Sequence, residues 1–117
     1  MQLEVLDIID RVGFKDKQII CQGLEENSND WHTGIGRIDS LEDENEQHYT
    51  HIHSELRGTL LEKLIDYYNC FRTRIMIMSP RSCYSVHRDP TPRIHLPIIT
   101  NLQCWMVWPE DQKCHKM

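Results

Sequence analysis

Apolar residues recur at helical spacing in two parts of the chain. Every third residue from position 3 to position 12 is apolar, so residues 2–12 are predicted to form a short helix that stops at Gly13. Within residues 54–69, leucine, isoleucine and tyrosine repeat at intervals of three and four. This spacing predicts a second, amphipathic helix over that range.

The pattern then changes to short apolar runs separated by turn-forming residues. These runs predict a series of antiparallel strands, in addition to one early strand. The five expected strands cover residues 17–22, 72–78, 82–87, 93–99 and 103–108. Pro97 lies inside one run and favours an edge strand or a bulge there. We therefore expect a single domain over 1–117, mainly β with N-terminal helices (an α+β class). Residues 1–70 would hold the helices, the short strand and a long loop, and residues 71–109 the main strands.

A polar stretch over residues 23–47 separates these parts and is predicted to be a long loop. Trp31 and the turn at Gly34-Ile35-Gly36 are its expected anchors to the body of the protein. The acidic run Leu41–Glu46 is expected to be a solvated face rather than a binding patch.

The composition and the lengths of the apolar runs argue against several classes of function. The 117 residues carry a net charge of −5, which argues against nucleic acid as the main partner, because such binding needs basic surface. No apolar run approaches the ~20 residues that cross a bilayer, and residues 1–12 lack the features of a signal peptide. Five cysteines without a Cys-x-x-Cys pair fit free thiols in the cytoplasm. A zinc site drawing on Cys104, Cys114 and His115 is the less favoured alternative, because its ligands are not closely paired.

The main candidate chemistry lies at His87 and Asp89. Side chains two residues apart on a strand point to the same face, so this pair can offer one metal ion an imidazole and a carboxylate. Arg93 and His95 form a second such pair past a turn bounded by prolines, and a hairpin there would place all four side chains at one cavity. An arginine could clamp the carboxylate of a bound small molecule. The alternative is structural: a turn-forming aspartate before a proline and a hydrogen-bonded histidine.

Two motifs in this stretch resemble a known family. They are Tyr84-x-x-His87-x-Asp89 and Arg93-Ile94-His95-Leu96-Pro97. Residues 72–101 resemble the aspartyl/asparaginyl β-hydroxylase-like branch of the Fe(II)/2-oxoglutarate dioxygenases, and are most similar to its short members from marine phage and environmental sequences.

The resemblance implies a fold and a set of roles. It implies a double-stranded β-helix (jelly-roll) and iron held by His87 and Asp89. It implies that 2-oxoglutarate is held partly by Arg93, with His95 assisting at its carboxylate and Tyr84 donating a further hydrogen bond. The expected reaction is hydroxylation of a C–H bond on an amino acid or a protein side chain.

The chain departs from the family after these motifs. The family places a third ligand, a histidine, on a later strand, and an arginine follows it. Here His115 is the remaining histidine, in a polar tail that lacks strand character and has no later arginine, so it is not favoured as the ligand. We expect the chain to be the N-terminal part of a longer protein. The alternative is a catalytically inactive jelly-roll fragment or binding module, which could associate with a second copy through exposed strand edges.

Two further patterns are weaker evidence for a functional site. His87-Arg88-Asp89 spells a kinase catalytic triplet, but position 94 is isoleucine instead of the asparagine that binds the second Mg²⁺, and there is no glycine-rich loop. His48, His51 and His53 precede the second helix. They are interpreted as a solvated cap region, with a metal site as the alternative.

Overall fold

The structure is a computed structural model that describes residues 1–38 and 46–117. Two α-helices, two 3₁₀ helices and six short strands follow one another in the described ranges. The helices are α1 (Gln2–Val12) and α2 (Leu60–Tyr67), with 3₁₀ turns at Glu46–His48 and Ser54–Leu56. The strands are β1 (Gln18–Ile20), β2 (Gln22–Gly23), β3 (His51–Ile52), β4 (Arg74–Met76), β5 (Trp105–Trp108) and β6 (Lys113–Lys116).

Helix α1 confirms the first predicted element. Val5 and Ile8 lie on its apolar face and are buried in the core. Gly13 ends the helix with φ at 77° and donates its N–H to the Ile9 carbonyl at 2.9 Å. Glycine adopts this positive φ without the steric cost that a side chain would bring.

Helix α2 is shorter than the predicted range 54–69. Ser54–Leu56 form a 3₁₀ turn instead of the first α-helical turn. Gly58, with φ at 81°, breaks the backbone after it. Thr59 then caps α2 by accepting a hydrogen bond from the Glu62 N–H at 3.2 Å. The apolar periodicity therefore located the helix, and the glycine and the cap determined where it begins.

The early strand and the strand after α2 pair with each other. β1 and β4 are antiparallel, with Ile19 opposite Ile75. β2 and β3 form a second antiparallel pair, with Gln22 opposite Ile52. Ile19, Ile20 and Cys21 are completely buried, so the second part of the segment predicted over 17–22 lies in the core. Leu56, Ile8 and Ile65 pack in the same cluster.

The chain divides into two compact units, Leu3–Tyr84 with Met1, and Ser85–Met117. The second unit contains one hairpin, in which β5 pairs with β6 and Met106 lies opposite His115. Two predictions are wrong here. Residues 82–87 and 93–99 form no strand. Conversely, the tail around His115, predicted to lack strand character, forms β6.

The six strands of the described residues make three separate two-stranded sheets. Two helices with short antiparallel strand pairs give a mixed α+β class, as predicted. No jelly-roll appears among residues 1–38 and 46–117. The strands predicted at 82–87 and 93–99, which a jelly-roll would need, have no pairing partner among the described residues. The second of these segments follows Pro92 and contains Pro97, and a proline cannot donate to a sheet.

Candidate functional site

Three of the predicted site residues lie together in the second unit, on irregular backbone. The distance from His87 Nε2 to Asp89 Oδ1 is 3.8 Å, and that from an Arg93 guanidinium nitrogen to the same oxygen is 3.5 Å. The predicted hairpin is absent, so a turn of the chain through Pro90 and Pro92 brings Arg93 back to Asp89. These three side chains therefore lie close together although the two strands predicted to carry them do not form.

The backbone orients the imidazole of His87. Nδ1 lies 2.7 Å from the carbonyl oxygen of Ser85. A carbonyl only accepts, so this contact favours a proton on Nδ1 and a lone pair on Nε2, the nitrogen that faces Asp89. Histidines that ligate metals commonly have their other ring nitrogen held in this way.

The donor pair lies close to the reach of one cation. Adjacent ligand atoms of one ion, with metal–ligand bonds of about 2.0–2.2 Å, are about 3.0–3.4 Å apart. The 3.8 Å between Nε2 and Oδ1 would therefore shorten by about half an ångström when both atoms bind one ion. The side chains are half-exposed, at 54% for His87 and 37% for Asp89, so an ion could approach from solvent.

Arg93 and Arg88 differ in what they contact. The Arg93 side chain is 21% exposed and lies against Asp89. Arg88 is 82% exposed and pairs with Glu110 at 2.9 Å. Arg93 is therefore the cation adjacent to the His87–Asp89 pair, whereas Arg88 points to a separate surface contact.

The other predicted residues have different settings. His95 is exposed, and no hydrogen bond or ion pair joins it to the cluster within the described ranges. Tyr84 is exposed and belongs to the first unit. His115 lies on β6 with its ring edge-on to Trp108 at 5.2 Å. No group of three or more histidine, cysteine, aspartate or glutamate side chains in the described part of the chain is arranged to hold a metal ion.

The cysteines of the alternative zinc site do not converge with His115. Cys104 precedes β5 and its backbone pairs with Met117, whereas Cys114 lies opposite Val107. Hydrogen bonds from the Thr100 hydroxyl and the Asn101 backbone lower the pKa of the Cys104 thiol. All five cysteines are free.

His53 and Arg72 are among the buried polar residues of the first unit that sequence reasoning missed. His53, interpreted as part of a solvated cap region, is 1% exposed. Arg72, assigned to a strand, is buried in an ion pair with Glu46 at 3.1 Å. Neither stands in a distinctive motif, because burial of a polar side chain depends on partners that lie far away in the chain.

Neither helix of the described chain is long and apolar enough to span a membrane. No protein-family model matches the chain, and no curated protein matches it.

Proposed function

We propose that His87 and Asp89 bind Fe(II) in a protein of the Fe(II)/2-oxoglutarate dioxygenase type. The observation that carries this proposal is the 3.8 Å separation of Nε2 and Oδ1, together with the Ser85 carbonyl that holds the other ring nitrogen. One imidazole and one carboxylate are two of the three ligands that such sites use. The third ligand would come from outside the cluster formed here.

Arg93 is the proposed contact for the 2-oxoglutarate carboxylate. Its guanidinium now lies 3.5 Å from Asp89. If Asp89 bound a cation, the charge on that carboxylate would be shared, and Arg93 could turn to an incoming carboxylate with a two-pronged hydrogen bond. His95 and Tyr84 are further proposed contacts for 2-oxoglutarate.

Bound iron with 2-oxoglutarate would supply the oxidising chemistry, and the protein would supply orientation. The proposed reaction is hydroxylation of an amino-acid or protein side chain in the cytoplasm. The proposal includes a jelly-roll fold for the catalytic form. It also includes self-association through exposed strand edges, which sedimentation at several concentrations would detect.

The alternative proposal is a binding module without catalysis. Two protein ligands hold a cation less tightly than three, and the donor pair is exposed to water. Such a module would bind a divalent ion and 2-oxoglutarate but would not turn them over.

Anaerobic titration tests both proposals. Fe(II) is added to the native chain and to His87→Ala, Asp89→Ala and Arg93→Ala variants, followed by 2-oxoglutarate. We expect the first two variants to lose Fe(II) affinity by at least about tenfold. Arg93→Ala should weaken only the binding of 2-oxoglutarate.

Two matched controls accompany these variants. Arg88→Ala removes a neighbouring arginine, and His48→Ala removes an exposed histidine of the first unit; both should bind like the native chain. Equal Fe(II) binding by the native chain and the His87 and Asp89 variants would overturn the metal site. Binding without succinate formation in air would favour the non-catalytic module.

A further inference from the structure

His53 is a buried histidine whose two ring nitrogens both contact backbone carbonyl oxygens. Nδ1 lies 2.7 Å from the Ser28 carbonyl, and Nε2 lies 3.1 Å from the Ile20 carbonyl. The side chain follows strand β3, and its backbone N–H donates to the Cys21 carbonyl at 3.2 Å. The ring therefore joins the central strand β1 to the loop that carries Ser28.

A carbonyl oxygen accepts hydrogen bonds and cannot donate them. A neutral imidazole has one N–H, so it could satisfy only one of these two carbonyls. Its other nitrogen would turn a lone pair towards an oxygen lone pair. The doubly protonated ring has two N–H groups and satisfies both.

We infer that His53 is an imidazolium ion in the folded chain, and that its second proton fastens residues 24–31 to strand β1 as a pH-sensitive latch. Two features of the surroundings stabilise a positive charge. Both ring nitrogens meet the negative ends of carbonyl dipoles. The Trp31 ring lies against the imidazole, with 4.2 Å between centroids and 41° between planes, close enough for a cation–π contribution.

The titratable neighbours on the packed elements do not compete for this proton. Burial raises the pKa of the Cys21 thiol to about 12, so it stays neutral. On the loop, hydrogen bonds from the Thr33 hydroxyl and the His32 N–H lower the pKa of Asp30. On the following 3₁₀ turn, Glu55 pairs with Arg11.

The direction of the pH effect follows from the proton count. The latch needs a hydrogen on both ring nitrogens, so it is complete at low pH and is lost when a rise in pH removes one of the two protons. The latch is independent of the proposed metal site, since its residues belong to the first unit.

Release would reshape a cleft of about 430 Å³ in the first unit. Trp31 and its neighbours Asn29, Asp30 and His32 form one wall, and Arg11 and Glu55 lie on the other. The Ile20 N–H also donates to the Trp31 carbonyl at 2.8 Å, so the loop keeps one attachment to β1 when the His53 proton leaves. The expected motion is therefore local and leaves the core intact.

Nitrogen-15 NMR of the histidine rings tests the inference on the native chain. At low pH we expect both ring nitrogens of His53 to carry a directly bonded hydrogen. The pH is then raised until the ring loses one proton. After correction for the intrinsic base catalysis of amide exchange, the protection factors of residues 24–31 should fall about tenfold at that pH, which corresponds to the net stability of about one hydrogen bond.

A His53→Gln variant supplies a second test, because its side-chain amide donates through one nitrogen only. The loop of this variant should show the lower protection factors at every pH, whereas His51→Gln on the preceding strand β3 should keep the pH response. One unprotonated ring nitrogen at low pH, with the loop protected, would overturn the inference. Protection factors of the loop that do not change when His53 loses its proton would overturn it as well.

Discussion

At the scale of the residue, the buried side chain of Arg72 holds several segments of the chain in place, a role that no sequence motif indicated. Its N–H donates to the Tyr49 carbonyl at 2.8 Å, and its Nε donates to Gly34 at 3.0 Å. Other guanidinium nitrogens donate to the Gly36 carbonyl and to Glu46. The side chain is 3% exposed. One buried cation therefore ties a loop and a 3₁₀ turn to the strand that follows α2.

Replacing Arg72 with methionine should destabilise the protein by about 3–5 kcal/mol, because it leaves Glu46 buried without its cation and two carbonyls without a donor. Urea unfolding followed by far-UV circular dichroism measures the change. Arg57→Met is the matched control: Arg57 is exposed and pairs with Glu62 at 2.7 Å, so its loss should cost less than about 1 kcal/mol. Similar losses in the two variants would contradict the role assigned to Arg72.

The anchors of the long loop could be predicted from sequence, but its electrostatics could not. Trp31 is buried and the Gly34–Gly36 turn receives Arg72, as expected for anchors. Glu46 was assigned to a solvated acidic run and is instead buried, so that prediction is wrong at this position. Residues 41–45 of that run lie outside the described ranges. The sequence showed a charge but not the distant arginine that neutralises it.

At the scale of the element, helix α2 depends on a capping arrangement at its first turn. Thr59 accepts from the Glu62 N–H, and the Glu62 carboxylate accepts from the Gly58 N–H at 2.6 Å and from Arg57. These hydrogen bonds, that from Arg57 foremost, lower the pKa of Glu62. The contribution of the Glu62 carboxylate to the stability of the fold is therefore present above the pH range in which carboxyl groups ordinarily titrate. It is lost as the pH falls through the lowered pKa of Glu62.

Thr59→Ala should destabilise the fold by about 1 kcal/mol, because the first turn loses the acceptor for one of its free N–H groups. Chemical unfolding at neutral pH measures this loss. Thr59→Ser keeps the hydroxyl and should restore most of the stability. An alanine variant as stable as the native chain would show that the cap is dispensable.

Helices were predicted better than strands for a physical reason. A helix closes its hydrogen bonds within its own segment, so the periodicity at 2–12 and 54–69 was sufficient to locate α1 and α2. A strand needs a partner, and the apolar runs at 82–87 and 93–99 found none. The polar tail at Lys113–Lys116 became β6 because a turn at Pro109–Gln112 placed it beside β5. Patterning alone does not specify such a partner.

At the scale of the whole molecule, burial is confined to one unit. The buried residues of the described ranges all belong to the first unit, and none of residues 85–117 is buried. Val86, Ile94, Leu102 and Trp105 are among the exposed apolar side chains of the second unit. The candidate site residues could be named from their spacing, but their setting on exposed, irregular backbone could not.

This distribution predicts two levels of amide hydrogen exchange. Amides of β1 and α2 should exchange slowly, through global unfolding, because their side chains form the core. Amides of residues 85–104 should exchange by local opening, and those of β5 should be intermediate, since hydrogen bonds to β6 are their main protection. Exchange is measured by mass spectrometry at two protein concentrations, to distinguish protection within one chain from protection by self-association. Self-association through β5 would add protection to β5 at the higher concentration only. Protection of residues 85–104 equal to that of β1 at both concentrations would mean that the second unit has a stable interior of its own. That result would contradict the exposure on which access to His87 and Asp89 depends.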